Sequence, residues 1–333
     1  MFSSITTRLL PGMIVEVRPW PEIAATLDEQ GMLDGLPFMA EMVRFCGRRF
    51  TVSRRVERTC DEASGQMRRI RNTVFLEELR CDGSEHGGCQ KACMLFWKEA
   101  WLTQVEASGL SLAAEERKAN NVNTCLYGHH LADGEYICQA TELTRATSQL
   151  PIWDLRLYFR DLRAKTHSLP KLLRILSYAV FLRLRRYLTG KSHMVLEGRL
   201  TTTPRDALHL QPGELIRVKS KKEITATLDR HGRNRGLAFT VEMVPFCGGT
   251  FRVLGRIEKM IHEPSRRLIE LANTVILENV VCDGCHILRG GCVRANYLYW
   301  REIWLERVPV EGATVTSTRG NQQAAPLVQL AGR

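Results

Sequence analysis

Thiolates and imidazoles are the best metal ligands a chain can offer, and this one carries eleven cysteines and nine histidines in 333 residues. Their spacing narrows the chemistry. Cys282-Asp283-Gly284-Cys285 is a Cys-x2-Cys element in which Gly284 permits the tight turn between the sulfurs, and Cys292 follows in the same segment. With Cys247 brought in from an earlier glycine-closed turn, four thiolates would form the closed tetrahedral shell of a structural zinc ion. His286 is a substitute fourth ligand, or a donor that orients one. A second set, Cys46, Cys81, Cys89 and Cys93, offers four thiolates at a different spacing, with His86 and Cys60 in reserve. The expectation is two zinc sites, with an iron–sulfur cluster as the alternative cofactor. The competing account makes Cys46 and Cys247 buried core thiols and the others loop residues, with no metal at all.

Other constellations are weaker. Cys125-Leu126-Tyr127-Gly128-His129-His130 followed by Cys138 holds enough nitrogen and sulfur for a third site, although the histidines also read as exposed loop residues. Glu41 with Glu242, and Asp28 with Asp229, resemble paired carboxylates, but helix capping and ion pairs to the many arginines account for them more economically. There is no glycine-rich phosphate loop, no Gly-x-Ser-x-Gly elbow and no His-Glu-x-x-His helix. The common signatures of nucleotide hydrolysis, serine hydrolysis and zinc proteolysis are therefore missing.

The elements that must hold these residues occur twice. A constant offset carries Pro11 onto Pro212 and Gly83 onto Gly284 without a gap, and it aligns Cys46 with Cys247 and Cys81 with Cys282. After a two-residue insertion it also aligns Cys89 with Cys292. Such self-similarity marks a duplicated structural unit. Each copy reads as a Pro-Gly turn, a short alternating strand (Met13 to Val17, Leu215 to Val218) and a small helix (Pro21 to Asp28, Lys222 to Asp229) stopped by Gly31 or Gly232. Glu41 to Gly47 and Glu242 to Gly248 read as short glycine-closed helices or turns. Strands follow at Phe50 to Glu57 and Asn72 to Leu79, and at Phe251 to Glu258 and Asn273 to Val281, around polar hairpin loops. Trp97 to Val105 and Trp300 to Val308 supply a last aromatic strand or short helix. Their tryptophans recur every four residues and suit a core better than a base-stacking surface.

The opening Pro-Gly-x4-Val-(Arg/Lys) strand, at Pro11 to Arg18 and Pro212 to Lys219, and the closing Trp-(Lys/Arg)-Glu-(Ala/Ile)-Trp-Leu segment, at Trp97 and Trp300, resemble the small SH3-like barrel of the nitrile hydratase β subunit. The resemblance implies an α+β chain of tandem duplicated SH3-like small β-barrels joined by a mainly helical connecting domain. That subunit supports a metal centre carried by its partner, whereas the cysteines here lie inside the repeat, so no functional residue carries over. The expected boundaries are residues 1–108 for repeat 1, 109–197 for the connector, 198–310 for repeat 2 and 311–333 for a disordered tail. Within the connector, Pro151 to Leu162 and Leu169 to Leu188 have helical periodicity. The second helix is apolar enough to need a docking surface, on the repeats or, through Arg174, Arg183, Arg185 and Arg186, on an anionic membrane.

A net charge of +11 and a pI near 9.3 favour an anionic or protein partner, with nucleic acid as a further class. No run approaches the roughly 18 apolar residues of a bilayer span, and residues 1–10 lack a secretory pattern, which makes a cytoplasmic setting with reduced cysteines the expectation. The function expected from all this is a non-catalytic, metal-stabilised tandem-barrel binding or scaffold protein. A metalloenzyme or iron–sulfur redox protein and a nucleic-acid-binding protein are the competing readings.

Overall fold

Alternation of buried and outward side chains sets the strands: in Ile14-Val15-Glu16-Val17, both valines are fully buried, and in Leu215-Ile216-Arg217-Val218, Ile216 and Val218 are. The computed structural model describes residues 8–62, 66–105, 133–150, 196–284 and 292–308, and positions 169–170, 173–174, 177, 180–181, 184 and 187–188. Repeat 1 runs β1 (Ile14–Val17), a helical turn (Trp20–Ala24), the hairpin β2 (Met32–Leu33) and β3 (Leu36–Pro37), and a 3-10 turn (Ala40–Phe45). It continues through β4 (Arg49–Asp61), β5 (Gln66–Arg80), β6 (Met94–Lys98), a second 3-10 turn (Glu99–Trp101) and β7 (Leu102–Gln104). After β8 (Ser148–Gln149), repeat 2 follows the same order: β9 (Leu215–Val218), a helical turn (Lys221–Thr225), β10 (Arg233–Asn234), β11 (Leu237–Ala238) and a 3-10 turn (Val241–Phe246). It ends with β12 (Thr250–Arg256), β13 (Lys259–His262), β14 (Arg267–Glu270), β15 (Thr274–Leu277), β16 (Trp300–Arg301), a 3-10 turn (Glu302–Trp304) and β17 (Leu305–Arg307).

The main sheets have equivalent antiparallel orders, β6-β5-β4-β1-β7 with β8 beside β5, and β16-β15-β12-β9-β17. Their end strands do not pair with each other. The chain is a strand-rich α+β protein, and no closed barrel forms among the described residues. The cores repeat as well. Trp101 donates from Nε1 to Thr26 Oγ1 at 3.1 Å and packs edge-on against Phe38, while Trp304 donates to Thr227 Oγ1 at 3.0 Å and meets Phe239 in the same way. All four repeat tryptophans are fully buried, each contributing roughly 3–5 kcal/mol by the usual cost of truncation to alanine.

The first hairpin is longer than its polar sequence suggests. Arg58, Thr59, Cys60 and Asp61 pair with Arg69, Arg68, Met67 and Gln66, because this end of the hairpin is covered by the other repeat. The covering is reciprocal. Cys60 N donates to Cys292 Sγ at 3.4 Å, and its counterpart Ile261 N donates to Cys89 Sγ at 3.3 Å. Lys91 binds Glu62 at 2.6 Å and Glu263 at 2.7 Å, while Arg294 binds Glu263 at 2.6 Å and reaches Glu62 at 3.7 Å. Glu62 and Glu263 are equivalent residues, as are Lys91 and Arg294. The junction therefore has the self-complementary pattern of an isologous dimer interface, built within one chain.

Residues 133–150 of the expected connector pack against repeat 1. Tyr136, Leu143 and Ala146 join its core, and the Gln139 amide exchanges hydrogen bonds of 2.8 Å with both backbone groups of Phe96. At the described helical positions of 169–188, Leu169, Leu173, Val180, Phe181, Leu184 and Leu188 are exposed. Arg174 reaches Asp283 at 2.7 Å. The remaining positions of that segment, the Pro151 to Leu162 helix, residues 109–132 and the 311–333 tail lie outside the described residues. No described helix is long and apolar enough to cross a membrane.

Candidate metal centre

Cys81 leaves the end of β5 with its backbone N–H bonded to the Cys93 carbonyl at 2.8 Å, which fixes the start of the loop to Cys89. The loop is wound tightly. His86 N and Gly88 N both donate to Gly83 O, at 3.0 and 2.9 Å, and Gly83, Gly87 and Gly88 all take positive φ. Only glycine adopts such a backbone freely, and at Gly83 a Cβ would also lie 2.0 Å from the Cys89 carbonyl oxygen. The Asp82 carboxylate accepts from Ser84 N at 3.1 Å and is held by Arg44 at 2.5 Å. This winding turns the His86 imidazole inward beneath the 3-10 turn that carries Glu41.

There Glu41, Cys81 and His86 converge. Cys81 Sγ lies 3.3 Å from Glu41 Oε1 and 3.9 Å from His86 Nδ1, and His86 Nδ1 lies 3.3 Å from Glu41 Oε1. Zinc bonds of about 2.0–2.3 Å at tetrahedral angles would set such donors roughly 3.3–3.6 Å apart, so the spacing suits an ion with little adjustment. The side chains of Glu41 and His86 are each 1% exposed, and Glu41 Oε2 has no hydrogen-bond partner. Burial pushes the Glu41 carboxyl above its usual range. Burial, and then the neighbouring Glu41 charge, push the Cys81 thiol strongly upward. A divalent cation between them would reverse that balance by favouring both anions. Among the described residues, this is the only set of three histidine, cysteine or acidic ligand atoms lying within 4.8 Å of one another.

No protein-family model, curated protein or solved structure matches this chain. The chemistry of the centre rests on its own geometry.

That geometry differs from the four-thiolate shell expected in repeat 1. In repeat 1 only Cys81 of the cysteine set joins the group. Cys46 ends the 3-10 turn, half-buried against the core, and burial pushes its thiol to about 11. The sulfur of Cys89 accepts from Ile261 across the junction, and Cys93, pushed by burial to about 11, lies 4.0 Å from an Arg294 nitrogen. In repeat 2, Cys282 meets Glu242 at 3.0 Å, the same pair as Cys81 with Glu41, and burial and Glu242 likewise push its thiol upward. Cys247 packs half-buried against its core and Cys292 accepts from Cys60. Cys285 and His286 lie outside the described residues, as do Cys125, His129 and His130, while Cys138 is buried and pushed by burial to about 12.

Glu41 is the member of this group that sequence reasoning assigned elsewhere. Among the described residues neither it nor Glu242 is paired to an arginine; each faces a cysteine forty residues away. The available signal was the retention of an acid and a cysteine together in both copies.

Proposed function

We propose that the chain is a non-catalytic, metal-stabilised tandem scaffold in which Glu41, Cys81 and His86 hold a zinc ion. The observation that carries this reading is the set of three unlike donors at ligand spacing in a closed setting. A catalytic zinc keeps a position open to substrate. The cavity beside Cys81 and His86 is only about 30 Å³, enough for one water as a fourth donor. A carboxylate and an imidazole also suit zinc better than an iron–sulfur cluster, which is held mainly by thiolates.

The loop supplies the link to scaffolding. It starts at Cys81 and ends at Cys89, whose sulfur accepts from repeat 2, and Gln90 N then donates to Lys259 O at 3.0 Å. An ion in the loop would therefore stiffen one half of the junction between repeats. The strand order, with a 3-10 turn between the last two strands of each repeat, supports reading each unit as a small SH3-like barrel variant. An anionic or protein partner is in keeping with the net charge of +11. The four repeat tryptophans are buried, so none of them offers the aromatic platform that a nucleic-acid binder would use for stacking.

Elemental analysis of the full chain, purified without added metal, tests the centre. Stoichiometric zinc, lost in Cys81→Ala and His86→Ala together with a melting temperature lowered as chelation lowers that of the parent, is the expected result. Metal-free protein whose melting is indifferent to zinc and to chelators would overturn it.

A further inference from the structure

The walls of one cleft in repeat 1 are almost entirely charged. It encloses about 560 Å³ between Arg8, Arg55, Glu57, Arg69, Arg71 and Asn72, within the roughly 300–1,000 Å³ typical of small-ligand sites. None of these residues belongs to the metal group. The cleft opens where the β4–β5 register slips: Val56 pairs with Thr73 and Arg58 with Arg69, so residues 70–72 bulge opposite Glu57. Such irregularities re-aim side chains and are frequent beside binding sites.

The cations fall into two groups. Arg55 is buried and occupied, bonded to Glu57 at 2.7 Å and to Glu99, and Arg8 also reaches Glu57, at 2.5 Å. Arg69 and Arg71 enter no ion pair among the described residues, and Arg69 Nε is buried without a hydrogen-bond partner. Four arginines set against Glu57 in the wall and Glu99 behind it leave two positive charges in surplus. A phosphomonoester carries about −1.5 to −2 at neutral pH, and guanidinium forks match its oxygens.

Repeat 2 supplies an internal control. It keeps the structural ion pair, with Arg256 on Glu302 at 2.6 Å, but holds His209, Glu270 and Ala272 where repeat 1 has Arg8, Arg69 and Arg71. The fold therefore does not require those three arginines. We propose that this cleft binds a small phosphorylated ligand, with Arg69 and Arg71 gripping the phosphoryl group and Arg8 and Asn72 completing its rim. No aromatic side chain lines it, so recognition is of the phosphate group rather than of a stacked base.

Titration of the full chain with inorganic phosphate at constant ionic strength, followed by calorimetry and thermal melting, tests the proposal. Saturable binding and a raised melting temperature are expected. Exchanging in the repeat 2 residues, Arg69→Glu with Arg71→Ala, should weaken binding by roughly tenfold or more, the scale of losing charge-assisted hydrogen bonds, with the circular dichroism spectrum retained. If that double variant unfolds, Arg71→Ala alone, at an exposed position, gives the same reading. A phosphate response no greater than that to chloride, or one unchanged in the variants, would overturn the proposal. Binding of a single-stranded oligonucleotide without a saturable phosphate response would also overturn it, in favour of an extended nucleic-acid surface.

Discussion

Repeats 1 and 2 share a strand order, a tryptophan core and a Glu–Cys contact, yet they differ at the hairpin bulge. Repeat 1 lines its hairpin bulge with Arg69 and Arg71, whereas repeat 2 holds Glu270 and Ala272 there, and the Glu–Cys contact is kept in both copies. The difference separates what the unit needs in order to fold from what one copy has added.

The junction is where equivalence should break most visibly. Glu263 is 1% exposed between Lys91 and Arg294, while its counterpart Glu62 is 40% exposed. Glu263→Ala removes the buried carboxylate that Lys91 and Arg294 share and should cost about 3–5 kcal/mol in urea unfolding. Glu62→Ala, which removes the 2.6 Å bond to Lys91 from the more exposed of the two carboxylates, should cost less, about 1.5–3 kcal/mol; equal losses would mean that the two halves are equally buried. At the next level the repeats should agree. Gly83 and Gly284 have φ of +72° and +70°, and an added Cβ would meet the Cys89 or Cys292 carbonyl oxygen at 2.0 or 2.1 Å. Alanine at either position should cost at least about 2–3 kcal/mol, and tolerance at one alone would show that the loops are not equivalent.

Acid titration sharpens the junction comparison further. Burial raises the Glu62 carboxyl, but Lys91 and Arg294 outweigh that and hold it down to about 2. A depressed carboxyl contributes stability that is complete above its unfolded value near 4.5 and is lost as the pH falls toward 2. Glu62→Gln should flatten the stability profile in that window and leave it unchanged near neutrality in slope. The smallest effect concerns the first helical turns. Ser220 forms a capping box with Glu223, whereas the equivalent Pro19 makes no side-chain cap. Ser220→Ala should cost about 1 kcal/mol, and Pro19→Ala should show no loss of that kind in the same thermal melts.

The chain's local code was sufficient for the repeated elements. Alternation placed β1 and β9, Gly47 and Gly248 closed the 3-10 turns, and the polar stretches after Asp61 and Glu263 marked the hairpin ends, because each signal acts over a few residues. Periodicity could not show that β4 and β5 continue through Arg58 to Asp61 and Gln66 to Arg69, since these polar residues are held in strand by pairing and by cover from the other repeat. It also gave no sign that residues 133–150 bond to repeat 1 through Gln139 and β8.

The sequence by itself determined that the chain is a duplication, which cysteines recur, and the order of strands and turns in each copy. Only the tertiary structure decided which residues meet. Cys81 finds Glu41 and His86 rather than Cys46, Cys89 and Cys93, and Cys89 and Cys292 turn to the opposite repeat. The reason is physical: spacing along a chain limits reach, but the direction of a thiol is set by positive-φ glycines in its loop and by the hairpin packed against it from far away in sequence.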